Sequence, residues 1–258
     1  MGRESLRSYA NDWLGHRVDL RPSTRDLYRA HLDNHVLPAL GSTALAAIRP
    51  SDVRTAVRVW TLKLSPATTR TVFRVMSAVL RSAVRDGRIV KNPAEGCPLP
   101  RVDRQVLEPL SPSSVLALAD SITPRYRVAV LLGACAGLRL GEVLGLQVGR
   151  VDFLRRRITV EQQLQPVRAG GVPVLSPLKT PASRRTVPVD DVVVSELAAH
   201  LERFGPGPDG LLLANRLGQA VRKSSFGNRW QTAVKDADLP TGTRFHDYAD
   251  LWVMPMVA

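Results

Sequence analysis

Apolar residues recur at helical spacing through the first hundred residues of the chain. Residues 4–16 place five of them on one helical face: Leu6, Tyr9, Ala10, Trp13 and Leu14. Cap signals predict three further helices: from Pro22, with Ser23 as N-cap, to residues 36–41, from about Val53 to Leu62, and from Ser65 to Asp86. This part of the chain is therefore predicted to be a helical bundle.

The helix predicted from Ser65 separates basic from apolar side chains. At ~100° per residue, five arginines fall within about 60° of arc: Arg70, Arg74, Arg81, Arg85 and Arg88. Six apolar residues occupy the roughly opposite face: Val72, Val75, Met76, Val79, Leu80 and Ala83. A solvated helix face usually mixes charges, whereas Asp86 is the only acidic residue between Thr69 and Lys91. The stripe favours a surface that follows phosphates over the alternative, an ordinary solvated face.

The pattern changes after residue 98. Residues 99–109 are polar and punctuated by proline, which predicts a linker between domains 1–98 and 110–258. The second domain is predicted to contain five helices and two strands: helices 113–119 and 125–136, a helix carrying Arg139, helices 192–204 and 225–237, and strands 152–160 and 184–189. The predicted fold class is mainly α with a small antiparallel β-sheet.

The net charge of the chain indicates what kind of partner it binds. Thirty-six basic residues against 23 acidic ones give a net charge of +13, which favours a polyanion through counterion release. Residues 1–106 carry 18 basic and 9 acidic residues, a net charge of +9. A membrane surface is the competing polyanion, but the sequence contains no amphipathic basic helix with an exposed aromatic face.

Cysteine and histidine content argues against other classes of site. Cys97 and Cys135 are too few for a disulfide framework or a zinc site of paired ligands. His31 and His35 have a zinc-compatible spacing, but no third ligand is near them. These residues lead us to predict no metal and no small-molecule cofactor. The sequence shows no signal peptide and no apolar run approaching ~18 residues, so it predicts a cytoplasmic protein.

The candidate chemistry begins at the end of an uncharged apolar run, residues 128–138. Arg139 follows it, bracketed by Gly137 and Gly141, and Glu142 lies near enough on a helix to brace the guanidinium. A rigid arginine can bind a phosphate through two parallel hydrogen bonds. The alternative is a structural ion pair. The string from Gly137 to Leu146, Gly-Leu-Arg-Leu-Gly-Glu-Val-Leu-Gly-Leu, closely resembles the first arginine box of the tyrosine recombinases, the phage-integrase family.

The resemblance extends to both domains. Tyr9-Ala-x-x-Trp-Leu, Pro22-Ser-Thr, His35-Val-Leu-Pro, Ser65-Pro-Ala-Thr and Asn92-Pro are similar to the family's helical, SAM-like core-binding domain. The family, here closest to its actinobacterial type, implies double-stranded DNA as partner, self-association on DNA and a nucleoid-associated location. The residues expected to bind DNA are the five arginines of the stripe and three more arginines: Arg25, Arg29 and Arg184.

The family cleaves DNA without metal, through a tyrosine that attacks the scissile phosphodiester. The reaction needs cations on the non-bridging oxygens of the phosphate and a proton donor for the leaving oxygen. In the family these roles fall to two arginines, a lysine on a β-hairpin, and histidine or tryptophan donors. By resemblance, Arg139 is the first arginine. Lys179, within Pro177-Leu-Lys-Thr-Pro-Ala-Ser-Arg-Arg-Thr-Val-Pro, is the hairpin lysine and general acid, and His246 is the histidine of the next box.

The last residues depart from the family pattern. The second arginine is expected at Ala249 and another histidine at Asp250, with about 30–40 further residues. In a second alignment, Tyr248-Ala-Asp-Leu-Trp252 resembles the nucleophile segment, and an internal deletion joins it to the histidine box. Both alignments lack the second arginine. The sequence therefore predicts a truncated or internally deleted recombinase with defective catalysis, or alternatively a non-cleaving DNA-binding protein that competes at integrase sites or shapes them.

Overall fold

A computed structural model describes residues 4–102, 110–165, 171–178 and 180–246. The chain divides into two compact units, residues 1–105 and 106–258, and each has a hydrophobic core of its own. The finer boundaries predicted above, with a linker at 99–109, stay a prediction.

The first unit is helical throughout its regular structure. Its helices are α1 (Leu6–His16), α2 (Pro22–His31), α3 (Leu37–Leu40), α4 (Pro50–Thr61) and α5 (Pro66–Arg85), with a π-helical segment, Leu32–Val36, joining α2 to α3. Ser65 caps α5 by accepting from the Thr68 N–H. The prediction of Ser23 as a cap is wrong, because Pro22 takes the first helical position and the cap residue is Arg21.

Helix α5 confirms the predicted apolar face. Val72, Val75, Met76, Val79, Leu80 and Ala83 are all buried in the core of the first unit. The predicted arginine stripe is one residue too long, because α5 ends at Arg85 and Gly87 adopts the left-handed conformation with φ 66°. Arg88 therefore lies beyond the helix, where its Nε is 3.8 Å from a Glu4 carboxylate oxygen.

The second unit contains the other five α-helices that the structure describes. They are α6 (Pro112–Ser121), α7 (Arg127–Ala136), α8 (Leu140–Leu144), α9 (Asp191–Phe204) and α10 (Lys223–Asp236). All residues of α7 from Val128 to Ala136 are buried, so this helix is the centre of the core. The 113–119 helix begins earlier than predicted, because Ser111 caps it and Pro112 takes its first position.

Two small antiparallel sheets complete the second unit. Strands β1 (Val151–Asp152), β2 (Arg157–Val160) and β5 (Arg185–Pro188) form one, in the order β1-β2-β5, and β3 (Gln162–Gln165) pairs with β4 (Val174–Pro177) in the other. The strand predicted over 152–160 is two strands joined by a turn, in which Arg156 has a positive φ of 53°. The predicted fold class, mainly α with a small antiparallel sheet, is confirmed.

Close backbone packing fixes β3 against α8. A Cβ atom on Gly145 would lie 2.5 Å from the backbone nitrogen of Leu164 and 2.7 Å from the carbonyl carbon of Gln163. Only glycine allows two backbones to approach so closely. The β3–β4 pair is thereby held beside the residues that follow Arg139. Within the described ranges, no helix is long and apolar enough to cross a membrane.

Candidate functional site

A sharp turn between α7 and α8 presents Arg139. Gly137 ends α7 in the left-handed conformation (φ 60°), and the buried Leu138 donates its backbone N–H to Leu132. Arg139 is the N-cap of α8 in an extended conformation, and 55% of its side chain is exposed. The guanidinium is thus held at the surface by a turn whose preceding residue is packed into the core.

Glu142 is the buried acid beside this arginine, with 4% of its side chain exposed. Its Oε2 accepts from the Arg139 backbone N–H at 3.0 Å, while Oε1 is 3.5 Å from the Arg139 Nη1. The short bond therefore goes to the backbone of Arg139, and the bond to its guanidinium is long. The brace predicted from the Arg-x-x-Glu spacing exists, but it constrains the turn more than the guanidinium.

Arg185 of β5 is the main charge partner of Glu142. Its Nη2 lies 2.8 Å from Oε2 and its Nη1 3.3 Å from Oε1 of the carboxylate. The same Nη2 donates to the Gly137 carbonyl at 3.0 Å. Because Arg185 balances the buried charge, the Arg139 guanidinium is left available for a ligand.

Sequence reasoning missed Arg185, although a signal for it existed. In β5 the side chains of Arg185 and Val187 are half-buried, while Thr186 and Pro188 are exposed. This period of two places Arg185 on the inward face and the preceding Arg184 outward. Arg184, assigned to DNA binding, is indeed exposed.

Lys223 is a cation beside Gly141, two residues after Arg139, that sequence reasoning did not single out. A Cβ atom on Gly141 would lie 3.0 Å from the Lys223 Nζ and 3.4 Å from the Gln163 Oε1. Lys223 is the first residue of α10, distant in sequence, and its side chain is half-buried. Since only tertiary packing brings it to the first turn of α8, no local pattern could have indicated it.

The hairpin lysine, Lys179, lies outside the described residues. Its predecessor Leu178 is buried, and the hydroxyl groups of Thr180 and Ser183 are 2.8 Å apart in the turn before β5. The two flanking strands, β4 and β5, end and begin at Pro177 and Arg185. Convergence of Lys179 with Arg139 on one phosphate stays a prediction.

Aromatic packing fixes the start of the histidine box. Phe245 is buried edge-on against Phe226 and Trp230, with ring centroids 5.7 and 5.2 Å apart, and the Trp230 indole N–H donates to the Thr243 carbonyl at 2.9 Å. The next residue, His246, is exposed. The candidate nucleophile Tyr248, with Ala249 and Asp250, lies outside the described residues.

The arginines of α5 divide into two groups. Arg74, Arg81 and Arg85 are exposed, and none of them forms an ion pair with a described residue. Arg70 is half-buried and donates to the Pro100 carbonyl at 3.0 Å. Three charged side chains on one helix face are therefore accessible to a polyanion.

The two arginines assigned on α2 have structural partners. Arg25 donates to the Arg17 carbonyl, and Arg29 donates to the Asn11 side-chain oxygen at 2.7 Å. Arg29 also lies 3.9 Å from the Asp33 carboxylate. These contacts account for both residues within the bundle, so their assignment to DNA stays a prediction.

Comparisons with known proteins agree over nearly the whole chain. Residues 6–97 match the model of the phage integrase central domain, and residues 108–248 match that of the phage integrase family. The integrase of Mycobacterium phage FRAT1 is 31% identical over 94% of this chain, and that of Mycobacterium phage L5 is 30% identical over 94%. The chain spans 73% and 65% of those two relatives.

Solved structures share the fold. The Tn1549 transposon integrase, solved with circular intermediate DNA, aligns with a TM-score of 0.84 at 21% identity, over 95% of this chain and 84% of that one. Lambda integrase bound to DNA aligns with a TM-score of 0.71 at 14% identity, over 95% and 84%. The fold, with an arginine presented between two core helices, is that of a tyrosine recombinase. The chain belongs to the phage integrase family.

Proposed function

We propose that this chain binds double-stranded DNA as a tyrosine-type integrase polypeptide and that its strand cleavage is impaired. The observation that carries DNA binding is the Arg139 turn, in which Arg185 neutralises the buried Glu142 and leaves the Arg139 guanidinium exposed. A preorganised planar guanidinium beside a packed core is suited to a phosphodiester. The protein acts on nucleoid DNA in the cytoplasm.

In this proposal, the first unit binds DNA independently of its base sequence. Arg74, Arg81 and Arg85 face solvent along one side of α5, where cationic side chains can contact phosphates. The Tn1549 and lambda integrases were solved in complexes with DNA, and lambda integrase also as a dimer and a tetramer. We extend both properties to this chain: it binds duplex DNA and self-associates there.

The residue set for cleavage is incomplete at position 249. In the proposed roles, Arg139 binds the scissile phosphate, Lys179 protonates the leaving oxygen and His246 donates a hydrogen bond to the phosphate. Ala249 stands where the family pattern has its second arginine. Removing one charge-stabilising donor lowers the rate about 10²–10³-fold. The same substitution supports the second candidate, a DNA-binding protein that occupies integrase sites without cutting.

Trapping a covalent intermediate tests this proposal. A duplex enriched from a random pool by binding to the chain itself is nicked next to each candidate cleavage position, so that a cleaved strand cannot religate. We expect retention of the duplex but no denaturant-resistant adduct above the level seen with Tyr248→Phe. An adduct that forms with the native chain and disappears with Tyr248→Phe would show that cleavage is intact and Tyr248 is the nucleophile.

The variant Ala249→Arg separates the two candidates. If Tyr248 serves as the nucleophile and only the missing charge limits cleavage, Ala249→Arg should raise adduct formation at least about 100-fold. If adduct stays absent while DNA binding is kept, the non-cleaving DNA-binding protein is the better description.

A further inference from the structure

We infer that Lys223 is a second phosphate-binding residue of the Arg139 site, an inference that rests on the proposed function. Lys223 opens α10, and its side chain extends to the first turn of α8, where the Nζ would lie 3.0 Å and the Cε 3.5 Å from a Cβ atom on Gly141. Gly141 is two residues after Arg139. The ammonium group and the arginine are therefore brought to the same short segment from elements about 80 residues apart in sequence.

The glycine at 141 explains how the ammonium reaches this position. Gly141 is an interior residue of α8 and is buried, although glycine weakens a helix relative to alanine. Its backbone conformation is helical, so no left-handed turn requires it. The close neighbour is the end of the Lys223 side chain, and a methyl group at this point would press against the ammonium.

The buried acid of the segment has its own hydrogen-bond donors. Glu142, the buried acid of this turn, already accepts two bonds from Arg185, one from the Arg139 guanidinium and one from its backbone. Near the ammonium stands the neutral Gln163 amide oxygen, 3.4 Å from the same Cβ position. A phosphodiester is an anion that a guanidinium and an ammonium can both bind through charge-assisted hydrogen bonds.

Lysine and arginine would divide the work at such a phosphate. The Arg139 fork can hold two oxygens in one plane, whereas an ammonium is a compact point charge with three rotatable donors. Lys223 is half-buried, so its stem is held by packing and less freedom is lost on binding. We therefore assign Lys223 to the phosphate bound by Arg139.

The test measures the affinity of a random-sequence 30-base-pair duplex across a series of salt concentrations. We expect Lys223→Gln to weaken binding about tenfold and to reduce the slope of log K against log salt by about 0.9, the value for one lost phosphate contact. Lys223→Arg should restore both. Gly141→Ala should weaken binding in the same direction by displacing the ammonium, while Gly227→Ala, with open space around its Cβ within α10, should match the native chain.

Comparison with Arg139→Ala keeps the two levels of inference apart. If Arg139→Ala weakens binding while Lys223→Gln and Gly141→Ala leave it unchanged, Lys223 has no role at the phosphate and the proposed function stands. If Arg139→Ala also has no effect, the proposed phosphate site itself is wrong. A double variant tests the shared phosphate: its loss of affinity should be smaller than the combined loss of the two single variants.

Discussion

The buried carboxylate of Glu142 determines what two arginines do. Arg185 bonds both of its oxygens and also the Gly137 carbonyl, so Arg185 is a structural partner. Arg139 makes its short bond through the backbone, and more than half of its side chain is in solvent. The sequence alone left an ion pair and a phosphate ligand as alternatives for Arg139. The structure supplies a different partner for the acid.

Replacing Arg185 should destabilise the second unit. Breaking a buried ion pair costs about 3–5 kcal/mol because it leaves an uncompensated charge. Solvent reaches Arg185, whose side chain is 32% exposed, so we expect about 2 kcal/mol for Arg185→Ala. Arg184→Ala, at the exposed neighbour, is the control and should change little. Denaturant unfolding followed by circular dichroism measures both, and equal midpoints would contradict the assigned pairing.

His200 should make stability depend on pH. It is buried in α9, its Nε2 is 3.0 Å from the Leu212 carbonyl, and its Nδ1 has no partner among the described residues. Burial, aided by the charge of Arg125, lowers the pKa of this imidazole below its usual 6.5, against the opposing effect of the Leu212 bond.

Because the folded-state pKa is depressed, the neutral form is favoured by folding. The stabilisation is present above pH 6.5 and should be lost as the pH falls through the lower folded-state pKa. We expect the unfolding free energy of the native chain to decline in this window and His200→Gln to flatten the decline. An identical pH dependence in both proteins would contradict this, because it would show that folding does not change the pKa of His200.

The sequence predicted part of this site and could not predict the rest. Arg139 stood out because the apolar run before it and the glycines around it form a local pattern. Arg185 was detectable only through the two-residue period of β5. Lys223 was beyond reach, because its position at Gly141 depends on the packing of α10 against α8.

At the scale of elements, the structure confirms the predicted apolar face of α5 but not the predicted end of its arginine stripe. Its apolar residues follow the helical period, and all of those predicted are buried. In the sequence Arg88 fits the same helical period, but Gly87 adopts a left-handed conformation and the helix ends before Arg88. Likewise, the strand predicted over 152–160 is broken at Arg156. This residue has a positive φ, which the pattern of side chains does not predict.

Reversing charge on α5 should weaken DNA binding regardless of sequence. Arg74 and Arg81 are exposed and adjacent in angle on the helix face, so Arg74→Glu with Arg81→Glu removes two phosphate contacts and adds repulsion. We expect the salt slope to fall by about 1.8 and affinity to drop at least about tenfold on unrelated duplexes.

The control is the same change of net charge elsewhere, Arg155→Glu with Lys235→Glu, at exposed positions of the second unit. Fluorescence anisotropy with two unrelated duplexes measures all three proteins. If the control pair weakens binding as much as the α5 pair, net charge rather than the helix face governs affinity.

The contact between α8 and β3 should tolerate no side chain at Gly145. A Cβ atom there would lie 2.5 Å from a backbone nitrogen, which cannot rotate away. We expect Gly145→Ala to destabilise the second unit by about 3 kcal/mol, the upper range for overpacking. Gly149→Ala has open space around it and should cost under about 1 kcal/mol. Similar thermal midpoints for the two variants would contradict the close packing of β3 on α8.

At the scale of the whole molecule, two independently cored units belong to one family architecture. The family models match them separately, at residues 6–97 and 108–248, and the Tn1549 integrase shares the fold over 95% of the chain. The prediction of a mainly α fold followed from periodicity, and the family from the arginine box. DNA binding by the second unit then depends on whether the exposed Arg139 reaches a phosphate.

Duplex affinity of Arg139→Ala tests that claim most directly. Because Arg185 continues to neutralise Glu142, we expect the variant to unfold near the native midpoint while losing one charge-assisted phosphate contact. Its affinity for duplex DNA at fixed salt should fall about tenfold or more, whereas Arg155→Ala should bind as the native chain does. A well-folded Arg139→Ala protein that binds duplex DNA with native affinity would contradict the account.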